Sequence, residues 1–179
     1  MAVTVEFGLP ALLTETIPEY GDSWQVMAWP DGRLADGSGQ ATGGGQIFDY
    51  LFYESTSNSA LFSYDQGWLL PADPVGREIA LHRILSLYGF NEQETADFLE
   101  FWVSKLSAGV AYYAYPQPTA VVDKAMPMTV TPKPDNVYRL WFVFMPADAE
   151  ISKEDLLPPV VEPIRRDGFH IVEWGGVMG

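Results

Sequence analysis

Residues 73–107, DPVGREIALHRILSLYGFNEQETADFLEFWVSKLS, decide the fold. Asp73-Pro74 offers a helix N-cap with proline at the first helical position. Leu81, Ile84, Leu85 and Tyr88 then recur at helical spacing until Gly89 supplies a C-terminal stop. This predicts an amphipathic helix. Directly afterwards Asn91 and Glu94 form a capping-box variant, and Phe98, Phe101, Trp102 and Leu106 share one face up to about Ser107. Two helices joined by so short a link make an αα-hairpin.

The flanks on both sides of this hairpin read as strands. Upstream, Val3 to Phe7 alternates apolar and polar residues and is closed by Pro10. Ser23 to Trp29 alternates again, with Trp24, Val26 and Ala28 on one side, and Pro30-Asp31-Gly32 is a turn. Leu34 to Gln46 is glycine-rich and reads as a mobile surface loop. Ile47 to Glu54 reads as one aromatic strand, with shorter candidates at Leu61 to Tyr64 and Trp68 to Leu70. Downstream, Val110 to Tyr115, Met128 to Thr131 and Tyr138 to Met145 restore strand character. Pro132 to Asn136 is an extended or turned connector, Ser152 to Pro163 a polar crossing segment, and Phe169 to Trp174 a last strand ending at Gly175-Gly176.

Strands, a helix pair and strands again predict an α+β fold: a mainly antiparallel sheet or sandwich with an inserted helical hairpin at about 74–107, between β-rich parts 3–70 and 110–176. No β-α-β alternation or internal repeat argues for a Rossmann or barrel plan. A length of 179 residues suits one domain spanning 1–179, with a hydrophobic fraction of 47% and 14% aromatics to build its core.

Charge and composition exclude several classes of function. Ten basic residues against 24 acidic ones give a net charge of −14, which disfavours nucleic acid and anionic membrane surfaces. The absence of cysteine excludes disulfides, thiolate metal sites and a cysteine nucleophile. The longest strongly apolar run, Leu140 to Met145, is too short to span a bilayer, so membrane insertion is not expected. Met1-Ala2 placed directly before a strand reads as a start at a domain edge, from which a native leader could have been removed.

Few residues offer chemistry. Glu78 and His82 lie one helical turn apart, with His170 the other histidine of the chain, but nothing in the sequence brings that third ligand to them. There is no G-x-S-x-G elbow and no phosphate-binding glycine motif. Glu54 and Glu173 are the candidate catalytic carboxylates, in the paired-acid manner of glycosidases; Asp49 is set on the opposite face from Glu54 by strand alternation. Against this stands a structural ion pair with Arg139, Arg165 or Arg166. Asp31, Asp36 and Asp49 flank the glycine-rich loop without EF-hand spacing, as a candidate loose Ca²⁺ site. The aromatic set Trp24, Trp29, Tyr50, Phe52, Tyr53, Trp68, Trp141 and Trp174 is core by default. Those left on an outer face would form a recognition patch, with Trp24, Trp29, Tyr53, Trp68 and Trp174 as the candidate binding residues.

Three further stretches carry a resemblance. Thr129 to Asp135 (TVTPKPD) with Val137 to Val143, Gly168 to Gly176 (GFHIVEWGG), and Tyr50 to Glu54 (YLFYE) resemble the TxSPKPD-like, GFxxVEWGG and YLFWE-like motifs of an uncharacterised, mostly bacterial family, with Tyr53 where tryptophan is usual. The Glu92 to Trp102 helix, with its ETADFLEFW stretch, is similar to that family's N-E-x-E-x-x-D-F-I-x-Y-W helix. The resemblance covers most of Trp24 to Gly176 and brings with it no activity, cofactor or catalytic residue. It implies an extracellular or envelope location, and a KPVIYLYP-like strand upstream of residue 1. Together these readings lead to an expectation of a non-catalytic extracytoplasmic binding or accessory module for carbohydrate or protein. The alternatives are a paired-carboxylate hydrolase and a self-associating structural surface protein.

Overall fold

The computed structural model describes residues 1–36, 45–147 and 156–179, which divide into two compact units. Unit 1 is Met1–Asn58 with Asp123–Asp135; unit 2 is Ser59–Val122 with Asn136–Gly179. The fold is α+β, with the two long helices paired as a hairpin.

Unit 1 is built on an antiparallel five-stranded sheet. Its strands are β1 (Ala2–Phe7), β3 (Trp24–Ala28), β4 (Leu34–Asp36), β5 (Ile47–Phe48) and β9 (Met128–Thr131), in the order β5-β4-β3-β1-β9. Period-two alternation sends Val3, Val5, Phe7, Trp24 and Val26 inward and leaves Glu6 and Gln25 exposed. A separate ribbon pairs β2 (Leu13–Ile17) with β6 (Phe52–Ser55), with a bulge between Leu13 and Glu15. Phe7, Tyr20, Trp24 and Tyr53 meet in one ring cluster, with centroids 4.7 to 6.5 Å apart. Its polar tips are satisfied: the Tyr20 hydroxyl accepts from Phe7 N–H at 2.6 Å, and Trp24 Nε1 donates to Pro18 O at 2.8 Å.

Several boundaries differ from the sequence reading. The segment read as one strand from Ile47 to Glu54 is two: Phe48 pairs with Leu34 in the sheet and Phe52 pairs with Ile17 in the ribbon, with a bend at Asp49-Tyr50. Alternation therefore does not relate Asp49 to Glu54. Leu34–Asp36, read as loop, is strand β4, because β3 turns back on itself at Pro30-Asp31-Gly32, where Gly32 takes φ +91°. The remainder of the loop reading, residues 37–44, lies outside the described residues, as do 152–155 of the crossing segment.

Unit 2 holds the sheet β11-β10-β8-β7, made of β7 (Trp68–Leu70), β8 (Tyr112–Gln117), β10 (Asn136–Pro146) and β11 (His170–Met178). The β10–β11 pair is parallel and the other pairs are antiparallel. Helices α1 (Pro74–Tyr88) and α2 (Glu92–Lys105) pack on one face of this sheet. Leu81, Leu85, Tyr88, Phe98 and Trp102 close over Leu140, Phe142 and Phe144. Gly76 N–H donates to Asp73 at 2.6 Å, Gly89 is left-handed at φ +81°, and the Asn91–Glu94 capping box is complete. Residues on the other face, Arg139, Trp141 and Val143, are buried as well, which is why β10 reads as an unbroken apolar run.

Three further corrections lie here. The strand read at Leu61 to Tyr64 is absent: Leu61 ends a 3-10 turn, Ser59–Leu61, and residues 62–64 are irregular. The buried Gln117 amide takes the place of a strand neighbour, accepting from Ser63 N–H at 2.9 Å and donating to Ser63 O at 2.7 Å. A short helix, α3 (Thr119–Ala125), follows β8 and spans the division between the units. Gly175 and Gly176 do not end the last strand, which runs on to Met178. They sit opposite Trp141 and Phe142, and a Cβ on Gly176 would lie 2.7 Å from the Trp102 ring.

Burial pushes the Tyr88 hydroxyl up to about 12, partly offset by the Trp68 indole, and raises Tyr138 in the same direction, with Tyr88 and Glu162 nearby adding to it. The folded state thus keeps protons that the unfolded chain releases from about pH 10, so stability is full below that pH and falls as pH rises towards 12. For Tyr88 the loss reaches at most about 3 kcal/mol. Urea unfolding between pH 8 and 11.5 is expected to show this decline, and Tyr88→Phe to make it shallower; an unchanged slope in the variant contradicts it.

Candidate binding site

One end of the unit 1 sheet gathers polar and aromatic side chains. Ala28, Leu34 and Phe48 lie in a row across β3, β4 and β5. The strands are antiparallel, so Trp29, which follows β3, Arg33, which precedes β4, and Asp49, which follows β5, all fall at the same sheet end. The turn closes tightly, with Trp29 N–H donating to Arg33 O at 3.0 Å and Gly32 N–H donating to Trp29 O at 3.1 Å. Trp29 is 41% exposed, and the Arg33 guanidinium lies 5.9 Å from its ring centroid, at the outer range of a cation–π contact. Arg33 Nε also donates to Asp31 at 2.7 Å, and Arg33 N–H donates to the same carboxyl at 3.2 Å. The guanidinium first, and then the backbone donor, hold the exposed Asp31 carboxyl below the usual carboxylate range. Asp49 and Tyr50 are exposed on the next connection. The arrangement combines an exposed indole with a cation and carboxylates, which suits hydrogen-bonded recognition of a polar ligand with an apolar face.

The other predicted site residues are dispersed. Trp24 is buried and Tyr53 half-buried in the ring cluster of unit 1. Trp68 is half-buried in unit 2, at a recess of about 260 Å³ lined by Gly67, Leu69, Leu156 and Pro158. Trp174 is half-buried and meets Phe98 edge-on at 5.5 Å, so it braces α2. Glu54 belongs to β6 of unit 1 and Glu173 to β11 of unit 2. Glu173 is tied to its neighbour strand: Arg139 donates to its two oxygens at 2.7 and 3.1 Å, and Trp141 Nε1 donates to Oε1 at 2.9 Å.

Of the three metal candidates, Asp31 and Asp49 share the turn end of the sheet, whereas Asp36 pairs with Val26 at the far end of β4. Among the described residues no three His, Asp or Glu side chains gather as a metal-binding group, and no helix is long and apolar enough to cross a membrane. Arg33 is the site residue that the sequence reading passed over. Its signal is its place two residues after Asp31 on a tight turn, where a short carboxylate can reach both its backbone and its side chain. No family model matches the chain, and comparison with curated proteins and solved structures likewise gives no match.

Proposed function

We propose that the chain is a non-catalytic extracytoplasmic binding or accessory module of the uncharacterised family it resembles, and that it takes a carbohydrate ligand at the Trp29 end of the unit 1 sheet. One observation carries this reading. Of the six tryptophans only Trp29 is exposed, and it is flanked by the Arg33–Asp31 pair and by Asp49. A flat ring covers the apolar face of a sugar while the charged neighbours bind hydroxyls. A hydrolytic reading on Glu173 is disfavoured, because Arg139 and Trp141 already occupy both of its oxygens.

A glycan array, followed by titration with tryptophan fluorescence as readout, tests the assignment. The expected result is binding that weakens tenfold or more in Trp29→Ala, equivalent to about 1.4 kcal/mol or more, with thermal stability unchanged because the side chain is exposed. Silence of the unmodified protein across the array removes the carbohydrate reading; binding that Trp29→Ala leaves intact removes the site.

A further inference from the structure

The sequence periodicity makes α1 amphipathic, yet its solvent side also carries large apolar residues. Val75 is 66% exposed, Ile79 50% and Leu87 53%. With His82 and Ser86, also exposed, Val75 and Ile79 form a line at successive spacings of four, three and four residues. That is the spacing of a coiled-coil seam, in which Val75 and His82 take d positions and Ile79 and Ser86 take a positions. Glu78 then falls at g and Arg83 at the following e, on opposite flanks of the seam. Both are exposed, and among the described residues neither has an ion-pair partner. The core-facing side of the same helix, Arg77, Leu81, Ile84, Leu85 and Tyr88, is already buried in unit 2.

We propose that this outer face of α1 is a homodimer surface, occupied by the α1 of a second copy lying parallel to it across a two-fold axis. Charge complementarity selects this occupant. In a parallel two-stranded pairing a g residue meets the e′ residue five positions later, so Glu78 of each copy faces Arg83 of the other, twice by symmetry. Ile79 and His82 meet their own counterparts between the two ion pairs, with the Val75 pair one turn before them. A net charge of −14 opposes association of two copies elsewhere on the surface, whereas this stripe carries Arg83 beside its apolar residues and one carboxylate. A single helix pair lies at the low end of interface areas, where association is weak and transient.

Sedimentation velocity on the full chain, from about 2 to 300 μM, reads an association of that strength. Glu78→Arg and Arg83→Glu, each placing like charges opposite one another, are expected to weaken the dimer at least tenfold. The Glu78→Arg/Arg83→Glu swap is expected to restore it to within about threefold, which separates a designed pairing from damage to the fold. Ile79→Asp is expected to leave only monomer, with an unchanged far-ultraviolet spectrum. Monomer at every concentration overturns the proposal, and so does an association indifferent to the charge reversals or one that the double swap fails to restore. None of these outcomes bears on the Trp29 site, which lies in the other unit.

Discussion

Replacing Arg77 by methionine is expected to cost about 3–5 kcal/mol of folding free energy, measured by urea unfolding, although the substitution adds an apolar side chain to an apolar surrounding. Arg77 lies in the first turn of α1 and is fully buried, and all of its hydrogen-bond partners are carbonyl oxygens. Its Nη1 donates to Leu106 O at 2.7 Å. Its Nη2 donates to Val110 O at 2.6 Å, to Ser107 O at 3.0 Å and to Ala72 O at 3.3 Å, and its Nε donates to Pro71 O at 3.2 Å. The guanidinium also lies 5.2 Å from the Tyr112 ring centroid. Leu106 and Ser107 follow α2, whose last carbonyls have no helical partners and carry the negative end of the helix dipole. One side chain from the start of α1 therefore caps the end of α2 and fastens the connection into β8. Methionine leaves those carbonyls buried and unpaired, at about 1–3 kcal/mol for a group fully deprived of a partner. Arg77→Lys is expected to recover less than half of the loss, because an ammonium cannot reach carbonyls spread around a planar fork. A methionine variant within about 1 kcal/mol of the parent contradicts this role, since that is well below the cost of an uncompensated buried network.

Glu173→Gln is expected to cost about 3 kcal/mol, because it removes the carboxylate charge that pairs with the buried Arg139 guanidinium. The Arg139 side chain is fully buried and that of Glu173 is 12% exposed. The parallel register sets these two residues side by side on β10 and β11, with Trp141 two positions along the same face of β10. The pair and the indole N–H join the final strand of the chain to the centre of the sheet, across the one parallel pairing in it. Were Glu173 instead a reacting acid, its glutamine variant would keep full stability and lose only activity.

The helix hairpin was readable because each signal is local. Asp73, Gly89, Asn91 and Glu94 satisfy helix ends within a few residues of themselves, so no tertiary knowledge is needed to place them. Strands β1, β3 and β10 were readable from alternation or from a continuous apolar run. What escaped depends on partners distant in sequence. The bend at Asp49-Tyr50 exists because Phe48 and Phe52 pair with different strands, and Gly175-Gly176 continue a strand because Trp102 lies over Gly176. The site was half legible for the same reason. Alternation sorts Trp24 from Trp29 into different environments only once it is known which side of the sheet is covered, and Glu173 finds Arg139 only through a parallel register.

Glu173 pairs with the buried Arg139, and Trp24, Tyr53 and Trp174 pack in ring clusters; a double-mutant cycle on Arg139 and Glu173 tests most directly whether this acid holds the fold together. With Arg139→Met, Glu173→Gln and the double variant, each single substitution is expected to lose about 3 kcal/mol. The double is expected to lose clearly less than their sum, giving a coupling of at least about 2 kcal/mol. Single variants within about 0.5 kcal/mol of the parent, with coupling near zero, would contradict it and return Glu173 to the list of groups free to do chemistry.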